Sequence, residues 1–303
     1  HIKRLLAFST VSHVGLVTIA FALLAPKALA GASIYVLGHA MVKSALFLGA
    51  GILLHRLNSV DELKLHGRGI GLWPTASLFV LAGLGLSGLP PFGTFLGEAM
   101  VDDAAKTVGF GWVAWIFIAA GVMTAGAVLR VAGHVFLGWG PAERVAPTGE
   151  GQTDEERETS AAHQHTPLSM LLPAVLLAAL GIAITFAPGM RHRAERAAEI
   201  VQDQAGYEAR VLEHAGLPLP PKKPEEPLRV AVIRGLAASA GAIVLAMLTL
   251  FRKKLRLESV GAQVLDRLVR PLRYLHSGHV GDYVAWLTFG VVCFGALFGI
   301  LVR

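Results

Sequence analysis

Long apolar segments recur along this chain, and they limit what it can fold into. About seven segments are long enough to form or contain a membrane-crossing helix, since roughly 20 apolar residues cross a hydrocarbon core of about 30 Å. They lie at 5–25, 31–55, 72–107 (interrupted), 111–138, 167–188, 228–251 and 283–302. We therefore expect an all-α polytopic membrane protein with about seven transmembrane helices.

Composition and charge agree with a membrane class. Only 16% of the residues are charged, against about 25% in soluble domains. The net charge of +6 does not indicate nucleic-acid binding, because the basic residues lie mostly between the apolar segments, as the positive-inside rule describes. The single cysteine, Cys293, cannot form an internal disulfide or hold an iron–sulfur cluster.

Lysine and arginine counts give an orientation. If Lys3 and Arg4 are cytoplasmic, successive crossings place the loops 56–70 and 252–282 on the same side, and both loops are rich in basic residues. Residues 252–275 space their apolar side chains as in a helix that lies in the membrane interface, although an ordinary cytoplasmic linker is the alternative. We expect a multi-pass protein of the cell membrane.

The glycine pattern in the third segment does not predict a nucleotide site. Gly83, Gly85 and Gly88 spell G-x-G-x-x-G, which binds dinucleotides only between a strand and a helix. Here the pattern lies inside an apolar segment and runs into Pro90-Pro91. Close packing of helices through small residues is the simpler interpretation. No residues indicate a site for NADH, flavin or quinone.

The histidines leave two cofactor hypotheses open. Two membrane histidines on facing helices can hold a b-type haem, and His13, His39 and His55 are the candidates, with His55 at a helix end. His163 and His165 could bind a metal but lie in a polar loop, where solvated histidines are more common. We favour neither hypothesis and expect no cofactor and no metal.

Lys43 is the ionisable residue that lies deepest in the membrane. Counted from Gly31, it is about 18 Å into its helix, near the midplane of the bilayer. A lysine at that depth must face a polar interior or lose its proton. His39 lies one turn earlier on the same face, so the two side chains can form a proton relay. The alternative is a structural pair bound to carbonyl or hydroxyl oxygens.

Glu98 follows a sequence that interrupts a helix. The segment from Gly88 to Gly93 contains Pro90-Pro91, and a break at membrane depth is tolerated only inside protein or beside water. Transporters place binding sites at such breaks, so Glu98 is a candidate proton-exchanging carboxyl group. Alternatively, residues 73–89 span the bilayer alone and Glu98 lies in a loop. His13, Lys3 and Arg130 can all reach the membrane interface.

Three motifs stand out in the first third of the chain: IKRLLAFSTVSHVGL at 2–16, GHAMVKSALFLGAG at 38–51 and SGLPPFGTFLGE at 87–98. They resemble, in order and approximate spacing, the family of antiporter-like subunits of complex I, Mrp-type cation/proton antiporters and related membrane-bound hydrogenases. The tail LHSGHVGDYVAWL resembles the C-terminal helices of longer members.

The resemblance implies roles for several residues. Lys43 would be the central relay lysine, His39 its partner and Glu98 the terminal proton-exchanging group, with 72–107 a single broken helix. The chain departs from the family pattern at Tyr35, where some members have a second histidine, and at His1, where aspartate is frequent. Many members also have lysine in place of Glu98. The family's N-terminal half is missing, so we interpret the chain as a C-terminal fragment.

These expectations define five regions. Residues 1–138 form part of a proton-conducting core, 139–166 a polar cytoplasmic loop, 167–188 a helix and 189–227 a polar extracytoplasmic segment. Residues 228–303 form two further helices joined by the interfacial segment.

The predicted function is ion translocation, most simply of protons and with Na⁺ as the second candidate, within a larger complex. The expected partners are other membrane subunits of that complex and the missing N-terminal half. Such a subunit can belong to a translocating oxidoreductase without holding its redox site. A structural or assembly subunit and a haem-binding redox subunit are the alternatives.

Overall fold

The computed structural model describes residues 1–142, 164–203, 228–252, 254, 288–289 and 292. The chain divides into two compact units, His1–Phe251 and Arg252–Arg303. The second unit contains few described residues, and every helix named below belongs to the first.

The described residues of the first unit form eight α-helices and contain no β-strand. Five of the helices are long and apolar enough to cross a membrane. The predicted all-α fold of a multi-pass membrane protein is therefore confirmed. The helices are α1 (Ile2–Ala22), α2 (Pro26–Leu57), α3 (Trp73–Leu86), α4 (Gly93–Thr107), α5 (Val113–Phe136), α6 (Leu168–Phe186), α7 (Met190–Gln202) and α8 (Leu228–Leu250).

Some predicted features lie outside the described residues. These are the seventh segment at 283–302 and the interfacial segment at 252–275, apart from isolated positions, and residues 143–163 of the polar loop, including His163. Within 189–227, expected from the sequence to be only a polar segment, residues Met190–Gln202 form α7. This helix is amphipathic, and its Ala198 packs with Ile34 of α2 and Met100 of α4.

Helix α2 is the centre of the first unit. It has 32 residues and packs against α1, α3, α4, α6 and α7. Pro26 occupies its first turn, where a missing amide donor costs nothing. It ends at Asn58, whose backbone adopts the left-handed conformation typical of a helix C-terminus. Because five helices pack against α2, the side chains along it are covered by protein on most sides.

The predicted discontinuity at Pro90-Pro91 is confirmed. Helix α3 ends at Leu86 and α4 begins at Gly93, and Gly88 between them has a φ of +74°, which favours glycine. Helix α3 has 14 residues and so measures only about 21 Å, too short to cross a bilayer alone. Thr94 Oγ1 donates a hydrogen bond of 2.5 Å to the Gly85 carbonyl, which satisfies one of the groups that the break exposes.

Helices α2 and α4 approach so closely that their backbones touch. A Cβ atom added to Gly38 would lie 2.5 Å from the Thr94 backbone nitrogen. One added to Gly97 would lie 2.5 Å from the Tyr35 nitrogen and 2.6 Å from the Gly31 carbonyl oxygen. Only glycine allows this separation, as at other close helix crossings in membranes. The contact fixes the position of α4 relative to the polar face of α2.

Candidate functional site

Polar side chains recur along α2 at four-residue intervals. Lys27, Tyr35, His39 and Lys43 share this spacing, with Gly31 at the remaining position. Neighbouring members lie nearly above one another, and the set winds around α2 by about 40° per four-residue step over the 16 residues from Lys27 to Lys43, about 24 Å along the axis. We call this set the α2 stripe. It runs from the middle of the helix to its N-terminal end.

Lys43 lies at the inner end of the α2 stripe and is 4% exposed. Its Nζ donates to the Leu6 carbonyl oxygen at 2.8 Å and to the Ser9 hydroxyl, both on α1. Both acceptors are neutral, so loss of the lysine proton breaks no ion pair in these two contacts. These hydrogen bonds stabilise the ammonium form of Lys43, and in these two contacts the side chain can lose its proton without leaving a carboxylate unpaired.

His39 contacts a second histidine that belongs to α1. The His13 and His39 ring centroids are 4.5 Å apart, and His13 Nδ1 is 2.6 Å from the Tyr35 hydroxyl oxygen. Both ring nitrogens of His39, and Nε2 of His13, are buried without a hydrogen-bond partner in the described part of the chain. Buried polar nitrogens of this kind require a functional or water-mediated explanation.

Glu98 extends this arrangement toward the helix break. Gly97 packs on the Tyr35 backbone, and Glu98 lies close enough to Tyr35 for their side chains to interact electrostatically. The Glu98 carboxyl group also lies directly over Gly88, where any Cβ atom would meet Glu98 Oε2. A carboxyl group therefore sits between the tyrosine of α2 and the interrupted backbone between α3 and α4.

Two ion pairs follow Glu98 on α4. Asp102 accepts a hydrogen bond of 2.5 Å from Arg234 Nη1 of α8. Asp103 is 2.5 Å from Lys27 Nζ at the outer end of the α2 stripe. These acidic groups continue the polar face of α4 toward its C-terminal end.

A separate polar cluster lies where α5 meets the segment after α2. Arg130 Nη2 donates to Glu62 Oε2 at 2.5 Å, and the Glu62 carboxylate is 10% exposed. His134 Nδ1 is 3.2 Å from the Glu62 carbonyl oxygen, and the His66 ring packs against the His134 ring at 4.4 Å. The contacts join the end of α5 to residues 62–66.

Replacement of Arg130 by glutamine is expected to destabilise this junction. The Glu62 carboxylate would keep its burial but lose its guanidinium partner, at a cost of about 1–3 kcal/mol. The double variant Glu62→Gln/Arg130→Gln should recover most of the loss. Thermal unfolding of the purified protein measures the effect, with Arg196→Gln on the exposed face of α7 as control. Equal melting temperatures for the single variant and the control would contradict the prediction.

The structure brings most of the predicted residues together. His13, Tyr35, His39, Lys43 and Glu98 form one line through α1, α2 and α4. His13 is 1% exposed, and the Tyr35 and His39 rings of α2 pack against it. Two residues lie elsewhere: Lys3 in the first turn of α1 and Arg130 in the Glu62 cluster.

Several residues of the site were missed from the sequence. Ser9 belongs to the first motif, but only the fold shows that it meets Lys43. Asp102 follows Glu98 by four residues, a spacing that could have marked it as part of the same helix face, whereas Asp103 gave no such signal. Arg234 gave a weaker signal: it is the seventh residue of a mostly apolar α8 that also carries Arg229 in its first turn.

Residues 1–126 match the family model described as NADH:quinone oxidoreductase/Mrp antiporter, transmembrane. The match covers all of α1 to α4 and the first part of α5. It therefore includes the α2 stripe, the helix break and Glu98, and it excludes α6, α7 and α8.

Curated relatives of two kinds are similar to the chain. The L subunit of NADH-quinone oxidoreductase from Mycobacterium tuberculosis is 34% identical over 185 residues, which are 58% of this chain and 26% of that protein. One of the subunits of a Na(+)/H(+) antiporter from Alkalihalophilus pseudofirmus is 28% identical over 186 residues, 61% of this chain and 34% of the relative.

A further relative is subunit 5 of NAD(P)H-quinone oxidoreductase from the organellar chromatophore of Paulinella chromatophora. It is 36% identical over 141 residues, 45% of this chain and 22% of the relative. The aligned regions thus span about a quarter to a third of these relatives' lengths.

Proposed function

We propose that the chain translocates protons as an antiporter-like subunit of a larger membrane complex, because residues 1–126 match the transmembrane family shared by NADH:quinone oxidoreductases and Mrp antiporters. The observation that carries the proposal is a line of titratable side chains from Lys43 through His39 and His13 to Tyr35 and Glu98, in which Lys43, His13 and Tyr35 are buried and His39 and Glu98 are half-buried. Ionisable groups at membrane depth are costly, and they typically mark ion pathways.

The contacts suggest how a proton would move along this line. Lys43 would hold the proton in the middle of α2, and His39, one turn away, would receive it through its ring nitrogens. The direct His13–Tyr35 hydrogen bond would then carry it to the α4 side. There Glu98 would exchange it with the polar face that leads to Asp102 and Asp103. The orientation from lysine and arginine counts directs this exit away from the cytoplasm.

In this proposal the side chains themselves carry the proton, without a bound cofactor. His13 and His39 can accept a proton on one nitrogen and release it from the other. Tyr35 acts as a hydrogen-bond bridge, since its hydroxyl can donate and accept at once. A charge that arrives at one group alters the energy of the next by Coulomb interaction, which is strong in a poorly solvated interior.

The haem alternative fits the geometry less well. Two axial histidines must lie on opposite faces of a porphyrin, whereas the His13 and His39 rings contact each other directly. An assembly role remains the competing proposal, because buried hydrogen-bonded side chains also fix helices. The two functions differ in what a neutral substitution does to flux when the protein still assembles.

Replacement of His39 by glutamine tests the relay. Glutamine keeps the size and polarity of the side chain but cannot take up and release a proton, so we expect proton flux to fall by about tenfold or more. Flux is followed with a pH-sensitive dye in inverted membrane vesicles that contain the chain and its co-purifying subunits, energised by NADH or by a cation gradient.

His55→Gln is the matched control, because His55 lies in the last turn of the same helix. It should keep wild-type flux. If both variants assemble normally and both keep wild-type flux, the relay through His39 is wrong and the assembly role is favoured.

A further inference from the structure

Helix α8 lies outside the family match and yet contacts the helix break directly. Ser239 Oγ is 2.9 Å from Ser87 Oγ, the residue that ends α3. Gly235 lies against the carbonyl oxygen of Gly88, and a Cβ atom at Gly235 would also meet Pro90 at 3.2 Å. The residues of α8 that face the break are thus small or polar. These small side chains allow α8 to pack against the helix break, which the Glu98 carboxyl group also contacts.

Arg234 extends from this part of α8 to the acidic face of α4. Its Nη1 atom donates to Asp102 Oδ2 at 2.5 Å, and the two side chains are 18% and 4% exposed. Asp102 follows Glu98 by four residues, so the two carboxyl groups lie on one face of α4, one turn apart. Asp102 and Arg234 are both close enough to Glu98 to interact with it electrostatically.

Two carboxylates one turn apart repel each other, and the repulsion is strong where water is scarce. A guanidinium group bound to one of them offsets that repulsion. Among the residues that the structure describes, the groups that interact with Glu98 include Asp102 on its own helix, Tyr35 on α2 and Arg234 on α8. Arg234 is the cation in this set.

We propose that Arg234 is a positioning residue for proton release: through its ion pair with Asp102, α8 sets the charge beside Glu98. The inference rests on the proposed function, since it assigns a role in the same pathway. Movement of α8 relative to α4 would lengthen the ion pair and hold the proton on Glu98, whereas a closed pair lets the proton leave. Helix α8, which lies outside residues 1–126, would thereby regulate proton exchange at Glu98.

Two substitutions with opposite expected effects test the inference. Arg234→Gln removes a positive charge near Glu98, so release from Glu98 should need a higher pH, and the flux profile should move up by about one pH unit. Asp102→Asn removes a negative charge near Glu98, so the profile should move down by a similar amount. The double variant should lie between them. Flux is measured in the same vesicles over a range of pH, with chain abundance checked by immunoblot.

Control variants distinguish failure of the Arg234 inference from failure of the proposed function. Arg229→Gln, at an exposed position in the first turn of α8, should leave the profile unchanged. If Arg234→Gln and Asp102→Asn shift the profile in the same direction, or neither shifts it while chain abundance falls, Arg234 only fastens α8 and the inference is overturned. Glu98→Gln is measured in parallel, because wild-type flux in that variant would overturn the proposed function itself.

Discussion

Glu98→Gln is expected to abolish proton flux while the protein assembles normally. Glutamine has nearly the same shape, so it can occupy the space over Gly88 that the carboxyl group fills. It cannot release a proton, and the line from Lys43 would end without an exchanging group. General acid–base groups contribute about 10²–10⁴-fold to the rates that depend on them. A loss of this size would leave flux at the level of vesicles that lack the chain.

Glu199→Gln on the exposed face of α7 is the matched control and should retain full flux. The measurement is dye-detected acidification of inverted vesicles, normalised to the amount of assembled chain. Retention of more than about half the wild-type flux in Glu98→Gln would mean that protons reach the surface by another route. In that case the helix break would serve packing alone.

Gly97→Ala is expected to prevent α2 and α4 from packing in their present positions. The new Cβ atom would lie 2.5 Å from the Tyr35 nitrogen, 2.6 Å from the Gly31 oxygen and 2.7 Å from Tyr35 Cα. All three are backbone atoms, so no side chain can rotate away, and the helices must separate. Overpacking of a core typically costs about 1–3 kcal/mol, and more where the backbone has to move.

The expected results are a several-fold lower chain abundance in membranes and a lower melting temperature for the remainder. Gly51→Ala is a matched control, because the nearest atom to a Cβ at that position is the flexible Met170 Cε at 4.0 Å. Alanine also favours a helix over glycine, so this control should be neutral or slightly stabilised. Equal stability of both variants would show that α4 does not depend on the glycine contact.

The membrane fold follows from sequence because its determinants are local. Apolar segments long enough for a bilayer predict the helices, and Pro90-Pro91 predicts the break, since proline lacks an amide donor and clashes with the preceding turn. Lys43 stands out by depth alone. Helix α7 could not be predicted in this way, because its apolar face is narrow and is completed by residues of other helices, among them Ile34 and Met100.

The composition of the site could be predicted only in part. His39, Lys43 and Tyr35 share a helix, so their common face follows from four-residue spacing. The burial of His13 depends on how α1 rotates against α2, and no local pattern determines that rotation. The Asp102–Arg234 pair joins residues 132 positions apart. Nothing in the spacing of either segment shows that they meet.

The central claim is that Lys43 carries the translocated proton, and flux through Lys43→Gln tests it most directly. Glutamine keeps an N–H donor that points toward the Leu6 carbonyl oxygen and Ser9 on a side chain one bond shorter, and the rest of the α1–α2 contact is unchanged, whereas the titratable amine is lost. Lys64→Gln in the exposed segment after α2 serves as control.

We predict that Lys43→Gln assembles at wild-type abundance and transports protons at least about tenfold more slowly than wild type. Wild-type flux in normally assembled Lys43→Gln would contradict this claim. It would leave Lys43 as a structural charge between α1 and α2 and the chain as an assembly subunit.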